Sequence, residues 1–402
     1  MKSFLKAGFS AVNITPHVGC NMGGMGRVKS ESIHDDLHAR VMVLEYDGTR
    51  VVFVSTDLVA LGKDDIDRIK ALILTDSGIM PSQVCISALH NHNGPLTYNF
   101  VEWYDKDPDY MNELVRKIAG AVHMAAGNLN EARVGFGVGQ AALNVNRRVK
   151  MPDGSVRMLF DTPTLTANPD LKPNGPVDRE VGVMALQGMD GRTEAILVNY
   201  SAHVICAAKL DQLGIISADY PGVMVDYLKK KTGAFAMHTN GACGDVHPLG
   251  FSEGMDRARE TGEKLAAEVL RVLGEISYGP CHKLAAIECA LELPYNNEFM
   301  ATGKGRLKRS GDRSLSVLQV MAVNDAAFVN VPAELFVEFG LEIKKKSPFK
   351  QTFIISNAND YLSYIPGRDA FEEGGKGPDI ARHIPESGEM IVEKALSMLR
   401  QL

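Results

Sequence analysis

Several histidines of this 402-residue chain stand in segments whose residue types and spacing could bind a metal ion. His90 and His92 are two positions apart in the sequence LHNHNGP, directly after an apolar run. In an extended segment, side chains two positions apart point to the same side, so both imidazoles could bind or flank one ion. The alternative is a pair of histidines that are hydrogen-bonded near a turn.

Two later segments supply further histidines. His203 ends the run NYSAH, and the glycine-containing sequence HTNGACGDVHP holds Asp245 and His247 two positions apart. Small residues in that stretch let the backbone approach a ligand or an ion closely. His203 alone is typical of a core or strand-end histidine, and the glycines are typical of a turn. A turn does not explain the clustering of histidine and aspartate.

Glu334, Tyr361 and Tyr364 could supply oxygen atoms to the same site. Glu334 follows the sequence VPA, where the pattern predicts that a helix begins, so it could instead complement the helix dipole. The two tyrosines lie in the sequence NANDYLSY and could simply pack. Arg147 and Arg148 could hold a carboxylate or a developing oxyanion, or they could be a solvated surface pair.

Taken together, two histidines, a glutamate and a further oxygen donor form a ligand set that suits Zn²⁺, and catalytic zinc usually keeps one position for water or substrate. Such an ion lowers the pKa of its water towards about 7 and polarises a carbonyl group. This is the chemistry of amide or ester hydrolysis. The residues therefore predict a metal-dependent hydrolase that acts on a small molecule.

Strand-like and helix-like segments alternate along the chain, which predicts an α/β, or mixed α+β, fold that positions these residues. Strands are predicted at 51–56, 83–89, 132–138, 182–186, 195–200, 234–238, 315–323 and 328–331. Helices are predicted at 64–74, 109–126, 222–231, 255–273, 333–345 and 388–401. Proline and glycine predict long loops at 151–176 and 367–387, and large apolar residues within them are typical of functional loops rather than linkers.

The composition is that of a soluble globular protein, with 45% hydrophobic and 23% charged residues and a net charge of −6. It excludes disordered, collagen-like and coiled-coil chains. The mild acidity argues against a nucleic-acid partner. No apolar run approaches the ~18 to 20 residues of a membrane span. The six scattered cysteines predict reduced thiols, and the N-terminal residues lack the pattern of a signal peptide, so we expect a cytoplasmic protein. The oligomeric state is left open.

The order of the motifs resembles the catalytic domain of the neutral/alkaline (non-lysosomal) ceramidase family. The resemblance covers most of the chain, and each motif is weak alone. It rests on VNITP (12–16), MG (25–26), LHAR (37–40), FVSTD (53–57), HNHNGP (90–95), Asn146-Arg147, His203, ISADYPG (216–222), NGACGDVHP (240–248), PAE (332–334) and NDY (359–361).

The resemblance implies layered β-sheets flanked by helices, with one zinc ion and hydrolysis of an N-acylsphingosine amide. Carried over residue by residue, the implied zinc ligands are His90, His203, Glu334 and Tyr361. His92 would then lie beside the metal as an acid/base or oxyanion-binding group. Arg147 and Tyr364 would lie near the scissile carbonyl. Asp219 would orient one of the metal ligands through a hydrogen bond, although a role as a helix N-cap explains this residue equally well.

The chain departs from the family pattern in two places. The family has a serine between Val and Pro in its GDVSP stretch, and here that position is His247. Full-length ceramidases also continue into a C-terminal β-sandwich domain, and we expect no such domain in this chain. Length alone suggests two or three domains at roughly 150 residues each, but ligands spread from His90 to Tyr361 predict one catalytic domain over 1–402. A membrane-lipid substrate is not expected.

The leading hypothesis is a zinc-dependent hydrolase that cleaves an amide, or an ester, with a metal-activated water. His92 or His247 would transfer protons, while Arg147 and Tyr364 would stabilise the oxyanion. One alternative is a two-metal phosphoesterase or amidohydrolase that uses Asp57, the HxH pair and the GDVH turn. Another is a metal-stabilised binding protein without catalytic activity.

Overall fold

The computed structural model describes residues 4–24, 26–99, 105–158, 172–209, 212–297 and 311–402. Met25 of the MG motif and residues 159–171 of the predicted loop at 151–176 lie outside the described residues. The strands are β1 Leu5–Asn13, β2 Ser32–Ile33, β3 His38–Tyr46, β4 Thr49–Thr56, β5 Val84–Ala88, β6 Asn130–Gln140, β7 Asn144–Asn146, β8 Arg148–Lys150, β9 Val156–Met158, β10 Glu180–Gly188, β11 Thr193–Tyr200, β12 Ile215–Ile216, β13 Phe235–Asn240, β14 Val246–Pro248, β15 Leu284–Pro294, β16 Arg313–Val323, β17 Ala326–Asn330, β18 Glu334–Leu335, β19 Gln351–Ile355 and β20 Tyr364–Ile365. The helices within these ranges are α1 Lys63–Ser77, α2 Pro108–Ala126, α3 Asp219–Thr232, α4 Met255–Leu273, α5 Val337–Lys346, α6 Arg368–Glu373 and α7 Ser387–Leu399.

Two sheets form the centre of the protein. The larger has eight strands in the order β13-β11-β10-β6-β1-β3-β4-β5, and the smaller has four in the order β15-β16-β17-β19. Only the outer pairs β11–β13 and β4–β5 of the larger sheet are parallel, and β17–β19 is the parallel pair of the smaller. The remaining pairs in both sheets are antiparallel.

Alternation along the strands divides the apolar residues between two layers. In β4, Val52 and Val54 face the core shared with α1 and α2, whereas Val51 and Phe53 face the core between the two sheets. This follows from the two-residue period of a strand. Helices α3 and α4 pack on the other half of the larger sheet, and α5 and α7 cover the outer face of the smaller one. The layered sheets flanked by helices confirm the predicted fold class.

The predicted elements occur close to their expected bounds, with two differences. The helix predicted from 333 begins only at Val337, because Glu334 and Leu335 form the short strand β18, which pairs in parallel with β20. The Asp245 carboxylate accepts the Val337 amide at 2.9 Å and satisfies the start of α5. The interpretation of Glu334 as a helix-dipole residue is therefore wrong. The loop predicted at 367–387 contains α6 and a 3₁₀ turn at Pro378–Ile380.

The cysteines and helices agree with the expectations from composition. All six cysteines are free thiols, and five of them are buried. Across the described ranges, no helix combines the length and the apolar character needed to cross a bilayer. The assignment of 1–402 to one domain stays a prediction.

Close packing of α3 on α4 depends on Gly262. A Cβ at this position would lie 2.6 Å from the Tyr220 carbonyl oxygen and 2.7 Å from Val223 Cβ, so the helices would have to separate. We expect Gly262→Ala to lower the free energy of unfolding by about 1–3 kcal/mol. Gly120→Ala in α2 is the control, because no heavy atom of the described ranges lies within 4 Å of its new Cβ. Urea unfolding of both variants measures the difference, and equal stability would contradict the packing argument.

Candidate metal centre

The residues predicted to do chemistry come together where the chain leaves the carboxyl ends of parallel strand pairs. His90 follows β5 by two residues, and His203 follows β11 by three. Glu334 comes from the segment after β17. Ends of parallel strands are where open α/β sheets place their sites. Backbone hydrogen bonds tie the segments to one another, since the His92 amide donates to the Val204 carbonyl at 3.1 Å and the His203 amide to the Val246 carbonyl at 3.0 Å.

Three buried histidines form a group that could hold a metal ion, and their ligand atoms all lie within 4.8 Å of one another. Each Nδ1 atom donates to a backbone carbonyl: that of Val59 at 3.0 Å from His90, Gly24 at 3.0 Å from His92, and Cys243 at 2.8 Å from His203. A carbonyl only accepts hydrogen bonds, so Nδ1 carries the proton in each ring. The three Nε2 atoms therefore keep their lone pairs, as metal-binding histidines do.

The Glu334 carboxylate completes the arrangement. Its Oε2 atom lies 3.1 Å from His90 Nε2 and 3.2 Å from His203 Nε2, and its side chain is fully buried. Burial and the charge of Arg147 lower the pKa of His203 to about 3, so that ring stays neutral. A cation among these three atoms would balance the repulsion between their lone pairs. A tetrahedral ion with bonds of about 2.0–2.1 Å separates its ligand atoms by about 3.3–3.4 Å, which fits these distances.

Tyr361 approaches the same carboxylate from the opposite oxygen. Its Oη atom donates to Glu334 Oε1 at 2.5 Å. Burial, followed by the charge of Glu334, raises the pKa of Tyr361 well above its usual value of 10.0, so the phenol keeps its proton here. This hydrogen bond turns Glu334 Oε2 towards the histidines.

Strained backbone surrounds the centre. Four residues on its loops have positive φ although they are not glycine: His90 at 63°, Asn357 at 51°, Asn359 at 64° and Ser363 at 67°. Such conformations cost energy and persist only where surrounding contacts impose them. For Asn359 those contacts are visible, since its Oδ1 accepts the Ile86 amide and its Nδ2 donates to Gln319 Oε1. The strain fixes the directions in which the side chains leave the loops.

Arg147 lies beside the histidines with only 1% of its surface exposed, which corrects the interpretation of a solvated arginine pair. Its Nη1 atom lies 2.9 Å from His247 Nε2 and 3.3 Å from His203 Nε2, and Nη2 donates to the Gly244 carbonyl. An arginine side chain is always a donor. His247 Nε2 is therefore an acceptor that is already in use.

Tyr364 and Arg148 have different neighbours. The Arg147 guanidinium lies 5.2 Å from the Tyr364 ring centroid, and Tyr364 Oη lies 3.4 Å from His203 Nε2. Arg148 is also buried, but its Nη2 pairs with the Glu373 carboxylate at 3.0 Å and its Nη1 donates to the Gly374 carbonyl. Tyr364 thus belongs to the centre, whereas Arg148 ties down the segment after α6.

Asp57 and Asp219 form their hydrogen bonds and ion pairs with residues outside the metal centre. The Asp57 carboxylate pairs with the Arg40 guanidinium at 2.8 Å and accepts the His38 amide. The only group of histidine, cysteine or acidic residues found with metal-binding geometry in the described ranges is that of His90, His92 and His203. This arrangement gives no support to a second ion bound by Asp57.

Asp219 acts at the start of α3, where its carboxylate accepts the Tyr220 amide at 2.6 Å and the Ala207 amide at 2.8 Å. Burial raises its pKa from 3.8 to about 7 despite these donors. Between those two values the unfolded carboxyl ionises while the folded one keeps its proton, so stability falls as pH rises.

We expect Asp219→Asn to remove up to about 4 kcal/mol of that pH dependence. The free energy of unfolding is measured for both proteins at pH 4 and at pH 7. The readout is the change between the two pH values, compared between the two proteins. Parallel pH profiles would mean that the Asp219 carboxyl ionises alike in the folded and unfolded states, which would contradict the raised pKa.

Lys376 is the residue that sequence reasoning missed. It lies in the sequence Gly374-Gly375-Lys376-Gly377, in which all three glycines have positive φ. Burial, followed by the charge of Arg147, lowers the pKa of Lys376 to about 8, and Glu334 acts in the opposite direction. Lys376 also lowers the pKa values of His92 and His247. The glycine cluster around a single lysine was the available signal.

Comparisons with known proteins support the fold. No protein-family model matches the sequence, and no curated protein matches it significantly. Among solved structures, neutral ceramidase from Pseudomonas aeruginosa superimposes with a TM-score of 0.80 at 17% identity, over 100% of this chain and 75% of that one. A structure described as ceramidase complexed with C2 gives a TM-score of 0.79 at 17% identity, over 100% of this chain and 76% of that one. This chain therefore has the fold of the neutral ceramidases.

Proposed function

We propose that this protein is a metal-dependent hydrolase that cleaves an amide bond, or less readily an ester bond, and that its ion is zinc. The proposal depends on one observation: Glu334 Oε2 lies 3.1 Å from His90 Nε2 and 3.2 Å from His203 Nε2, and all three side chains are buried. Nitrogen and carboxylate ligands of this kind are typical of catalytic zinc sites.

The residues that would hold the ion are His90, His203, Glu334 and Tyr361. When bound, zinc lowers the pKa of water and polarises a carbonyl group. The hydrogen bond from Tyr361 to Glu334 orients the carboxylate, and the carbonyls that accept from the Nδ1 atoms orient both imidazoles. Orientation of this kind raises affinity for the ion because the ligands are already in place. His92 could bind the ion as a third nitrogen ligand in place of Tyr361.

His92 is the residue best placed to transfer protons. Its Nδ1–H group is held by the Gly24 carbonyl, and its buried Nε2 atom has no hydrogen-bond partner among the residues that the structure describes. Burial, followed by the neighbouring His90 and His203, lowers the pKa of His92 well below 6.5, so the ring is neutral in this structure. In the reaction this atom would take a proton from the attacking water and return it to the departing amine.

Arg147 and Tyr364 would stabilise the oxyanion that forms on the scissile carbonyl. Both are donors beside His203, and burial raises the pKa of Tyr364, so its hydroxyl keeps its proton. Donors that are fixed in a buried site stabilise developing charge more than donors in water do. His247 accepts from Arg147 and so positions the guanidinium. We assign proton transfer to His92 for this reason.

We propose an amide bond because both structural neighbours are named as ceramidases. At 17% identity, the lipid substrate of those enzymes is not proposed for this chain. The resemblance places a serine where this chain has His247, and a hydroxyl cannot be replaced by an imidazole without a change in the contacts around it. A small soluble amide is the substrate class that we propose.

The proposal is tested with purified full-length protein. We expect about one equivalent of zinc by elemental analysis, hydrolysis of some members of a panel of N-acyl compounds, loss of activity on chelation and recovery with Zn²⁺. Ester and phosphoester panels run in parallel. Protein without a stoichiometric metal, or protein that cleaves only phosphoesters, would overturn the proposal.

A further inference from the structure

The orientation of the Tyr361 ring decides whether its phenol reaches the centre. Its Oη atom donates to Glu334 Oε1, and this bond leaves Glu334 Oε2 beside the histidines. The χ2 torsion of a tyrosine has a broad distribution, so the hydrogen bond alone does not fix the ring. The groups that pack against the ring have to supply the remaining restraint.

Two aromatic rings lie against Tyr361. The His90 ring is nearly parallel to it, with the two centroids 6.2 Å apart and the planes inclined by 21°. The Tyr98 ring meets it edge to face, with the centroids 4.9 Å apart and the planes inclined by 69°. Aromatic pairs favour such an arrangement because the positive edge of one ring faces the negative face of the other. His90 is a proposed ligand, so Tyr98 restrains the ring from outside the ligand set.

Tyr98 is itself held in place by Arg382, which is 284 residues away in the sequence. Arg382 Nη1 donates to Tyr98 Oη at 3.0 Å, and the guanidinium carbon lies 5.8 Å from the centroid of the Tyr98 ring. A Cβ at Gly62, directly before α1, would lie 3.3 Å from Tyr98 Cε2, so the glycine leaves room for the ring. These contacts keep the Tyr98 ring against Tyr361.

The contacts form a continuous series that leads to the centre. Arg382 contacts Tyr98, the Tyr98 ring packs on Tyr361, and the Tyr361 phenol donates to Glu334. Tyr98 and Arg382 are half-buried, whereas Tyr361 and Glu334 are buried. Groups that orient metal ligands raise the affinity for the ion although they do not touch it.

We propose that Tyr98 is a positioning residue: its ring, held by Arg382, keeps the Tyr361 phenol on Glu334 and so raises the affinity of the centre for zinc. The inference rests on the proposed function, because it concerns the ion that this site is proposed to hold. Tyr98 acts through Tyr361, so its contribution should disappear when the Tyr361 hydroxyl is removed.

A double-mutant cycle on the full-length protein tests this dependence. The dissociation constant for Zn²⁺ is measured by competition with a chromophoric chelator, without substrate. We expect Tyr98→Leu to raise it about tenfold in the parent protein and less than about twofold in the Tyr361→Phe background. Tyr98→Phe keeps the ring and loses the hydrogen bond to Arg382, so it should raise the constant only about threefold. Equal effects of Tyr98→Leu in both backgrounds, or no effect in the parent protein, would overturn the inference.

Tyr227→Leu is the matched control. Tyr227 is a half-buried tyrosine of α3 that also lies beside a cation, with Lys231 Nζ 5.4 Å from its ring centroid, but it packs against a different apolar cluster. We expect this change to leave the zinc affinity unaltered. Melting temperatures show which variants fold.

Arg382→Leu carries the same test if Tyr98→Leu does not fold. This change keeps the Tyr98 ring and removes its restraint, so we expect the zinc dissociation constant to rise about threefold in the parent protein and to stay unchanged in Tyr361→Phe. An unchanged constant in the parent protein, or an equal rise in both backgrounds, would contradict the positioning role.

The zinc measurements separate failure of the inference from failure of the proposed function. Coupling between Tyr98 and Tyr361 in zinc affinity supports the inference even if no amide is hydrolysed. Zinc binding and amide hydrolysis by the parent protein, without that coupling, refute the inference alone. Parent protein that binds no zinc refutes the proposed function and the inference with it.

Discussion

Glu334→Gln is expected to remove stoichiometric zinc and to lower kcat/KM for amide hydrolysis by about 10³-fold or more, since it takes away both a ligand and the charge that holds the ion. Glutamine has the same shape as glutamate, so the pocket keeps its volume. The fully buried carboxylate is the acid within hydrogen-bond distance of His90 and His203. Elemental analysis and steady-state kinetics measure the two losses.

The control is Glu372→Gln, an exposed acid in α6 that should retain both zinc and activity. A melting temperature for each variant shows whether Glu334→Gln still folds. Retention of one equivalent of zinc by a folded Glu334→Gln protein would show that Glu334 is not needed as a ligand. The ion would then be held by His90, His92 and His203, whose ligand atoms lie within 4.8 Å of one another.

The strands and helices could be predicted because their patterns are local. Residues 51–54 alternate between two apolar layers. Residues 255–273 repeat with a helical period, so the pattern of each segment reflects which of its faces is buried. Glu334 shows the limit of such patterns. Its surroundings favour a helix, but pairing with Tyr364, thirty residues later, keeps it extended. The order of the strands depends on contacts of the same kind and could not be predicted locally.

The candidate site could be predicted as a set of residues but not as an arrangement. His90, His203 and Glu334 were identified by type and by their order along the chain, and the structure brings their side chains together. Lys376 was missed because its neighbours in space are distant in sequence. Arg148 was misjudged for the same reason, since its partner Glu373 is 225 residues away. A histidine indicates a possible metal ligand by its residue type alone, whereas the role of a lysine depends on the charges around it.

His92→Gln is expected to keep the zinc and to lower kcat for amide hydrolysis by about 10²- to 10⁴-fold, with little change in KM. Glutamine fills similar space but cannot accept a proton at neutral pH. The prediction follows from the buried Nε2 atom of His92, for which the described part of the chain offers no hydrogen-bond partner, while the Nδ1–H group is fixed by the Gly24 carbonyl. Metal content and kinetics are measured on the same preparation.

His247→Gln gives the comparison that separates the two candidates for proton transfer. Its Nε2 atom accepts from Arg147 at 2.9 Å, and a glutamine oxygen can accept the same hydrogen bond. We therefore expect His247→Gln to reduce kcat by less than about tenfold. If His247→Gln is the more damaging change, proton transfer belongs to His247 and the contact with Arg147 must open during the reaction. If His92→Gln loses its zinc, His92 is a ligand, and the carboxylate of Glu334 becomes the group left to accept the proton.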